Sequence, residues 1–320
     1  MKAIRFHRVG GPEVLALEDA PDPTPGPGEL LLSVRAAGVN YADVHFRRGE
    51  YFVKPRFPEV PGLEAAGFVE AVGPEVTLFR PGDRVAALGS RAYAERMVVR
   101  EGRAYPLPDA LSFEDAAALP VQGLTAMHVL ELARLAAGER VLVHAAAGGV
   151  GSLAVQLAKR RGAQVIGATT HAEKAAAIRS LGADHVLCTK EEDVTHAVRR
   201  LGGVDVVLEM VGGTESYKRS LACLNPFGRM VVYGAASGEL RGTIEPVGLM
   251  GKNLTVSGYY LTGVIDRRER CAATMAELCA AVVASQVRVV RGATLPLAQA
   301  AEAHRLLEGP TSVGKIVLVP

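Results

Sequence analysis

A glycine-rich turn between an apolar run and an amphipathic run most constrains the fold of this 320-residue chain. Val141-Leu-Val143 predicts a buried strand, the turn ends in Gly148-Gly-Val-Gly151, and a helical pattern begins at about Val150. Strand, glycine turn and helix together are typical of a dinucleotide-binding site. Gly148 lets the backbone approach a pyrophosphate, and Gly151 lets the helix pack closely on the sheet.

The phosphates of a dinucleotide are expected at the N-terminus of that helix, because its free N–H groups and positive dipole end attract anions. The predicted contacts come from the turn itself, at Ala147, Gly148, Gly149, Val150 and Gly151. Ala146 replaces the first glycine of the usual motif, so the motif alone also fits an ordinary tight turn. Further strands at the expected places favour the nucleotide site.

The end of the next predicted strand, Ala163–Ala168, indicates which dinucleotide binds. An NAD site usually has Asp or Glu here, about 20 residues after the glycines, to hold the ribose 2′-OH. This chain has Thr169 and Thr170 instead, with Lys174 just behind. Hydroxyls and a cation could hold a 2′-phosphate, so the sequence predicts NADPH rather than NADH. The alternative for Lys174 is a solvated helix residue.

Two patterns divide the chain into two domains. Residues 1–115 contain short strand-like runs separated by Gly and Pro, which predict an irregular β-barrel. From Glu139 strands and helices alternate, which predicts an α/β fold with a doubly wound parallel sheet of six strands. We expect residues 116–262 to form this Rossmann NADPH-binding domain. Residues 263–320 then return to the first, catalytic domain.

Composition limits the class of protein and its partners. A hydrophobic content of 49%, 22% charged residues and a net charge of +2 are typical of a soluble globular protein. They give no electrostatic case for nucleic acid as the main partner, and no apolar run predicts a membrane span or a signal peptide. The cysteines form no C-x-x-C motif, which favours a reducing, cytoplasmic location. They are Cys188, Cys223, Cys271 and Cys279.

Several motifs carry a resemblance to a known family. They are Gly138-Glu-x-x-Leu142, Ala146-Ala-Gly-Gly-Val-Gly151, Gln156-x-x-Lys159, Gly38-Val-Asn40-x-x-Asp43, Arg47-x-Gly49-x-Tyr51, Pro61-Gly-x-Glu64, Pro81-Gly-Asp-Arg-Val85 and Gly314-Lys-Ile-Val-Leu318. Over essentially its whole length the chain resembles the zinc-independent, ζ-crystallin-like NADPH:quinone oxidoreductases of the medium-chain dehydrogenase/reductase superfamily. The resemblance implies a GroES-like catalytic domain, a quinone or other conjugated carbonyl acceptor, and a homodimer paired through the edge strand near 254–258.

The same resemblance implies that no metal takes part. Zinc-dependent relatives have Cys where Asn40 stands and His where Leu63 stands, and the retained Glu64 cannot make a zinc site alone. The lobe with four cysteines that holds a second zinc in those relatives is also missing. The eight histidines are scattered, and none pairs with a second ligand at metal-binding spacing.

By resemblance, the candidate catalytic residues are Asn40, Tyr51 and His45. Asn40 would contact the nicotinamide ribose or carboxamide, although an Asn here could also cap the helix that starts at Tyr41. The Tyr51 phenol could donate to a quinone oxygen, or belong to a core aromatic. His45 could donate a proton, or be a partly exposed bystander. Asp43 is expected to be structural.

The resemblance also implies cofactor contacts in the nucleotide-binding domain. The segment around Thr125 lines the ribose pocket, Gly212 lies under the middle of the cofactor, and Tyr233-Gly234-Ala235 passes beside the nicotinamide. The bound NADPH would carry the hydride, while the protein supplies position and electrostatics.

Two other functions stay open from the sequence. One is an NADPH-dependent reductase of conjugated enones, enals or enoyl thioesters, for which a basic cluster could bind an acyl carrier. That cluster comprises Arg47, Arg48, Lys54 and Arg56, and the alternative for it is a solvated loop. The other is an NADPH-binding structural or regulatory protein, as in lens crystallins. Turnover of an electrophilic acceptor separates the enzymes from the second alternative.

Overall fold

The structure is a computed structural model that describes residues 1–320. The chain forms two compact units: unit 1 is Met1–Leu124 with Val264–Pro320, and unit 2 is Thr125–Gly263. The first boundary lies further along the chain than residue 115, because a helix over Phe113–Ala116 packs on two strands of unit 1. None of the helices combines the length and the apolar character needed to cross a membrane.

The elements are numbered along the chain. The first segment contains β1 (Lys2–Arg5), β2 (Ala16–Asp19), β3 (Glu29–Val39), α1 (Tyr41–Arg47), β4 (Glu64–Val72), β5 (Arg84–Leu88), β6 (Arg96–Arg100), β7 (Ala104–Pro106) and α2 (Phe113–Ala116). The middle contains α3 (Gln122–Leu132), β8 (Arg140–Val143), α4 (Gly149–Arg160), β9 (Gln164–Thr169), α5 (Ala175–Ser180), β10 (His185–Cys188), α6 (Val194–Arg200), β11 (Val204–Glu209), α7 (Thr214–Cys223), β12 (Leu224–Val232), α8 (Pro246–Met250) and β13 (Thr255–Gly258). The last segment contains α9 (Arg268–Val283), β14 (Arg291–Pro296), α10 (Ala300–Glu308) and β15 (Lys315–Val319).

Unit 1 is built on a sheet in the order β14-β15-β3-β4-β5-β7, with β6 also paired to β3. All of its pairs are antiparallel except β14 with β15. Apolar side chains such as Phe6, Leu32 and Ile316 fill the core of this unit. The irregular β-barrel expected from the sequence is therefore confirmed. Strands β7 and β14 were not predicted, because one has three residues and the other is mostly exposed.

Unit 2 is a six-stranded parallel sheet in the order β10-β9-β8-β11-β12-β13. This is the doubly wound order predicted from the sequence, in which the strand sequence reverses beside β8. Ligands of such sheets bind outside the carboxyl ends of the strands at that reversal. The glycine-rich turn directly follows β8 and therefore lies at this position. Strand β13 forms one edge of the sheet.

The register around β3 determines which residues meet at its end. In the pairing with β15, Ile316 lies opposite Val39, and in the pairing with β4, Ala65 lies opposite Ala37. The residues that follow β3 therefore face the first residues of both neighbouring strands. Three distant parts of the sequence converge at this point.

Candidate active site

Asn40 lies between the end of β3 and the start of α1, where it is the N-cap residue, and its side chain is buried. Its Nδ2 donates to Glu64 Oε1 over 2.8 Å and to the Gly38 carbonyl over 3.3 Å. Lys315 Nζ donates to Asn40 Oδ1 over 2.8 Å and to Glu64 Oε1. Asn40 is thus both a helix cap and a member of a buried, charged hydrogen-bond network.

Asp43 begins a second buried network in unit 1. Its carboxylate accepts from the Asn40 N–H over 2.9 Å and from the Tyr93 hydroxyl over 3.0 Å. The Tyr93 hydroxyl also lies 3.2 Å from His304 Nε2, and Arg47 reaches His304 Nδ1 over 3.0 Å. Burial and the Arg47 charge lower the pKa of His304 to about 3, so its imidazole is neutral. The structural role predicted for Asp43 is confirmed.

Burial raises the pKa of Asp43 to about 7, although the hydrogen bonds from Asn40 and Tyr93 and the Lys315 charge oppose this shift. The folded protein then holds a proton on Asp43 that the unfolded chain releases near pH 4. The stabilisation is complete below about pH 4 and is lost as the pH rises through about 7. Stability therefore falls as the pH rises, whereas a salt-bridged carboxylate makes stability rise with pH.

We predict that Asp43→Asn removes this pH dependence. Between about pH 4 and 7, the free energy of unfolding of the wild type should fall relative to the variant, by up to about 4 kcal/mol. Urea denaturation at a series of pH values measures the difference. Because an asparagine oxygen can accept the same two hydrogen bonds, the comparison isolates the ionisation. Parallel pH profiles for the two proteins would contradict the prediction.

Tyr51 and His45 lie close together at the end of α1. The His45 carbonyl accepts from the N–H groups of Glu50 and Tyr51, over 2.8 and 3.2 Å. The His45 ring packs edge-on against Tyr41, and its Nδ1 lies 3.3 Å from the Glu50 carboxylate. Both candidates are partly exposed rather than core residues.

Arg47 does not belong to the basic cluster expected beside Tyr51, and that part of the sequence interpretation is wrong, whereas Arg48, Lys54 and Arg56 are exposed. Arg47 is completely buried and pairs with Glu308 over 3.0 Å. Arg48 pairs with the same carboxylate, and Lys54 donates to the Gly49 carbonyl. The period of α1 turns Arg47 towards α10, a direction that consecutive charged residues in the sequence do not reveal.

In unit 2 the glycine-rich turn brings the predicted phosphate contacts together. Gly148 is the N-cap of α4, and no side chain caps this helix end. The first N–H groups of the helix, from Gly149 to Gly151, therefore lack intrahelical partners. A Cβ on Gly151 would lie 2.2 Å from the Ala145 carbonyl oxygen, so helix and turn are in close contact. These features fit a pyrophosphate held by backbone N–H groups.

The residues after β9 are arranged around His171. Thr169 is buried, its hydroxyl accepts from the His171 N–H over 3.4 Å, and Thr170 is exposed. Lys174 is partly buried, which lowers the pKa of its ammonium, and Lys190 donates to His171 Nε2 over 3.3 Å. The sequence interpretation missed Lys190, whose position beside β9 depends on the pairing with β10.

A carboxylate also lies in this region. Glu173 Oε1 is 3.6 Å from His171 Nδ1, and the side chain of Glu173 is mostly exposed. In the sequence, Glu173 comes after the position at which an NAD site has its ribose-binding carboxylate. The charge of Glu173 also acts on Lys174. The residues directly after β9 therefore keep the arrangement of hydroxyls and cations that a 2′-phosphate requires.

The turns after β11 and β12 are joined by hydrogen bonds. Buried Glu209 accepts from the N–H groups of Val211 and Gly212, over 2.7 and 3.2 Å, and from Ser216 and Ser220. The Glu209 carbonyl accepts from Tyr233 N–H over 2.9 Å, so Tyr233, Gly234 and Ala235 follow directly beside Gly212. The sequence interpretation missed Glu209. The signal that could have identified it is a charged residue at the end of an otherwise apolar strand.

Thr125 is a buried residue of α3 at the beginning of unit 2. Its polar side chain distinguishes it from the alanines and leucines around it in the helix. The other predicted cofactor residues of this unit lie at or just after the carboxyl ends of β8, β9, β11 and β12. Thr125 belongs to none of these strand ends.

The residues do not make a metal site. No group of three or more His, Cys, Asp or Glu side chains is arranged so that it could hold a metal ion. Asn40 and Lys315 occupy two positions of the network around Glu64, and Lys315 already supplies a positive charge there. A divalent cation at Glu64 would have to compete with that buried ammonium.

A Rossmann sheet inserted into a GroES-like unit defines the medium-chain dehydrogenase/reductase class. Two family profiles match accordingly: "Alcohol dehydrogenase GroES-like domain" over residues 26–109 and "Zinc-binding dehydrogenase" over residues 149–281.

Full-length relatives identify the branch. The chain is 39% identical to a quinone oxidoreductase of Pseudomonas aeruginosa, covering 100% of this chain and 99% of the relative. It is 36% identical to the quinone oxidoreductase of Mus musculus, covering 100% and 98%. The Escherichia coli quinone oxidoreductase complexed with NADPH has a TM-score of 0.93 at 34% identity, covering 100% of both chains. The chain belongs to the quinone oxidoreductase family of medium-chain dehydrogenases/reductases.

Proposed function

We propose that the protein catalyses the NADPH-dependent reduction of quinones without a metal ion. The uncapped, glycine-lined N-terminus of α4 is the observation that carries this proposal, because it fits a pyrophosphate. The relatives named quinone oxidoreductase, which match the chain from end to end, support the acceptor class. Quinones are already electrophilic, so they accept reducing equivalents without a Lewis acid.

In this proposal unit 2 holds the cofactor. The backbone from Ala147 to Gly151 binds the pyrophosphate, and Thr170, Lys174 and Lys190 bind the 2′-phosphate. Gly212 and the segment from Tyr233 to Ala235 support the nicotinamide half. Thr125 contributes to the ribose pocket, and Thr169 orders the segment after β9 through its contact with His171. Bound NADPH supplies the hydride equivalent that reduces the acceptor.

Unit 1 would supply the groups that act on the reacting ends. Asn40 contacts the nicotinamide carboxamide or ribose. The Tyr51 phenol donates a hydrogen bond to the quinone oxygen that becomes negative during reduction. His45, whose Nδ1 lies 3.3 Å from the Glu50 carboxylate, supplies a proton to that oxygen.

The test is oxidation of NADPH with benzoquinone, phenanthrenequinone, an enone and crotonyl-CoA in parallel, with and without a chelator. We expect turnover of the quinones that is insensitive to the chelator and faster with NADPH than with NADH. Turnover with only the enone or the thioester would make the protein an alkene reductase. Tight NADPH binding without any turnover would instead favour a structural or regulatory role, and activity lost to the chelator would contradict a metal-free reaction.

We also propose a homodimer, formed by pairing β13 with its copy in a second chain. This edge strand carries unpaired backbone groups, and large apolar side chains in the part of the chain around it, residues 240–260, are exposed: Leu240, Val247, Met250 and Tyr260. Sedimentation should give the mass of two chains, and Val256→Pro should give a monomer, since proline removes a donor from the strand.

All four cysteines are free thiols, which supports a reducing, cytoplasmic location.

A further inference from the structure

Glu209 ends β11 with a carboxylate that is completely buried. Its Oε1 accepts from the N–H groups of Val211 and Gly212, over 2.7 and 3.2 Å. The hydroxyls of Ser216 and Ser220, both in α7, donate to the same carboxylate. Burying a carboxylate is costly even when hydrogen bonds compensate it, and an apolar side chain would end this strand at a lower cost. What the carboxylate adds is an acceptor for two consecutive N–H groups.

The turn that Glu209 holds is fixed in its place beside the turn after β12. The Met210 carbonyl accepts from the Ala236 N–H over 2.9 Å. Gly212 has a φ of +81°, and a Cβ on it would lie 2.8 Å from the Ala235 Cα, so the backbones of the two turns are in close contact. A shift of the first turn must therefore move the second.

His144, the residue that follows β8, is the third part of this network. Its side chain is buried, and its Nε2 lies 3.1 Å from the Ser220 hydroxyl oxygen. The single Ser220 proton goes to the Glu209 carboxylate, which can only accept, so His144 Nε2 carries a proton and donates to Ser220. The Glu209 network thus connects the carboxyl ends of β8, β11 and β12, and all of its residues belong to unit 2.

We propose that Glu209 is a positioning residue for the nicotinamide half of NADPH. Its carboxylate holds the turn after β11, and that turn holds the segment from Tyr233 to Ala235. The inference rests on the proposed function, in which Gly212 and this segment support the nicotinamide half. It adds that Glu209 acts on this half of the cofactor, because Lys174 and Lys190, which are assigned to the 2′-phosphate, follow β9 and β10 instead.

Two substitutions separate the hydrogen bonds of Glu209 from its charge. Glu209→Met has a flexible side chain without a strong acceptor, so the N–H groups of Val211 and Gly212 lose their partner. Glu209→Gln keeps an amide oxygen that can accept from both N–H groups, while its NH₂ group faces Ser220. The Ser220 hydroxyl can then turn and donate to His144 Nε2, whose proton moves to Nδ1. The network stays connected in Glu209→Gln without a charge.

Two further variants serve as controls. Ser216→Ala/Ser220→Ala removes both hydroxyl donors of the carboxylate and leaves its two N–H donors in place. It should lower the melting temperature, because hydrogen bonds to a buried charge are lost, while the turn after β11 keeps its position. Gly212→Ala does the opposite, since its Cβ would meet Ala235 and displace the turn while Glu209 is intact.

The readout is the dissociation constant of two ligands, NADPH and adenosine 2′,5′-bisphosphate, measured by titration calorimetry. The second ligand contains the adenosine half with its 2′-phosphate and lacks the nicotinamide. We expect Glu209→Met and Gly212→Ala each to weaken NADPH binding about tenfold and to bind the bisphosphate within about twofold of the wild type. Glu209→Gln and Ser216→Ala/Ser220→Ala should bind both ligands within about threefold of the wild type.

The results separate this inference from the proposed function. If the wild type binds neither ligand, or if Gly212→Ala binds NADPH as tightly as the wild type, the proposed cofactor contacts are wrong, and the positioning role falls with them. If Gly212→Ala weakens NADPH binding but Glu209→Met does not, only the positioning role is wrong. Equal weakening of both ligands by Glu209→Met would make Glu209 a residue that merely stabilises unit 2. Tenfold weaker NADPH binding by Glu209→Gln would also overturn the inference, and this isosteric variant keeps the test decisive if Glu209→Met does not fold.

Discussion

Gly151→Ala is expected to raise the dissociation constant of NADPH by more than about 100-fold. The new Cβ would lie 2.2 Å from the Ala145 carbonyl oxygen and 2.8 Å from the Ala146 Cα, and both are backbone atoms. The start of α4 must then move away from the turn, which also costs about 1–3 kcal/mol of stability. The N–H groups would no longer converge on the pyrophosphate. Fluorescence titration and thermal unfolding measure the two effects.

Gly148→Ala is the matched control for the backbone clash. A Cβ at this position would meet only the Ala145 carbonyl oxygen, at 3.3 Å, and the φ angle of −75° suits any residue. The melting temperature should therefore stay close to that of the wild type. Binding should still weaken, because the methyl group occupies the approach of the phosphates. Wild-type affinity in both variants would contradict a pyrophosphate site at this turn.

The double variant Lys174→Ala/Lys190→Ala is expected to lower the preference for NADPH over NADH by about 30- to 700-fold, since each of the two charge-assisted hydrogen bonds to the 2′-phosphate contributes about 1–2 kcal/mol. Binding of NADH, which lacks this phosphate, should change little. Lys174 is partly buried, and this burial lowers the pKa of its ammonium although the charge of Glu173 opposes the shift. A bound phosphate would add further negative charge and raise the pKa again.

The comparison needs a control for the loss of positive charge. Lys218 is an exposed lysine of the same unit that pairs with Glu215 over 3.0 Å, so Lys218→Ala should leave the preference unchanged. In the wild type, added salt should weaken NADPH binding more than NADH binding. In the double variant, added salt should weaken the binding of both cofactors to the same extent. An unchanged NADPH preference in Lys174→Ala/Lys190→Ala would move the 2′-phosphate site away from the end of β9.

Unit 2 could be predicted from the sequence because its determinants are local. Each buried strand appears as a short apolar run, such as Val141–Val143, and each crossover helix lies between two such runs. The glycine-rich turn follows its strand directly, so the position of the candidate site required no long-range information. Lys190 escaped prediction because its contact with His171 depends on the pairing of two strands.

Unit 1 shows what the sequence could not provide. Asn40, Glu64 and Lys315 lie in three separate motifs, and only the register of β15, β3 and β4 brings them together. Arg47 stands beside Arg48 in the sequence, yet the first is buried and the second is exposed. A long-range partner, Glu308, decides the difference, since a buried cation requires compensation from another part of the chain.

The insertion of unit 2 into unit 1 sets an order for folding during synthesis. Residues 125–263 are continuous and can fold once they leave the ribosome, whereas the sheet of unit 1 lacks β14 and β15 until residues 291–319 have followed. Lys315 comes after all of unit 2 in the chain, so the Glu64 carboxylate lacks its cation until unit 2 has been made. Unit 1 is therefore begun before unit 2 is synthesised and completed after it.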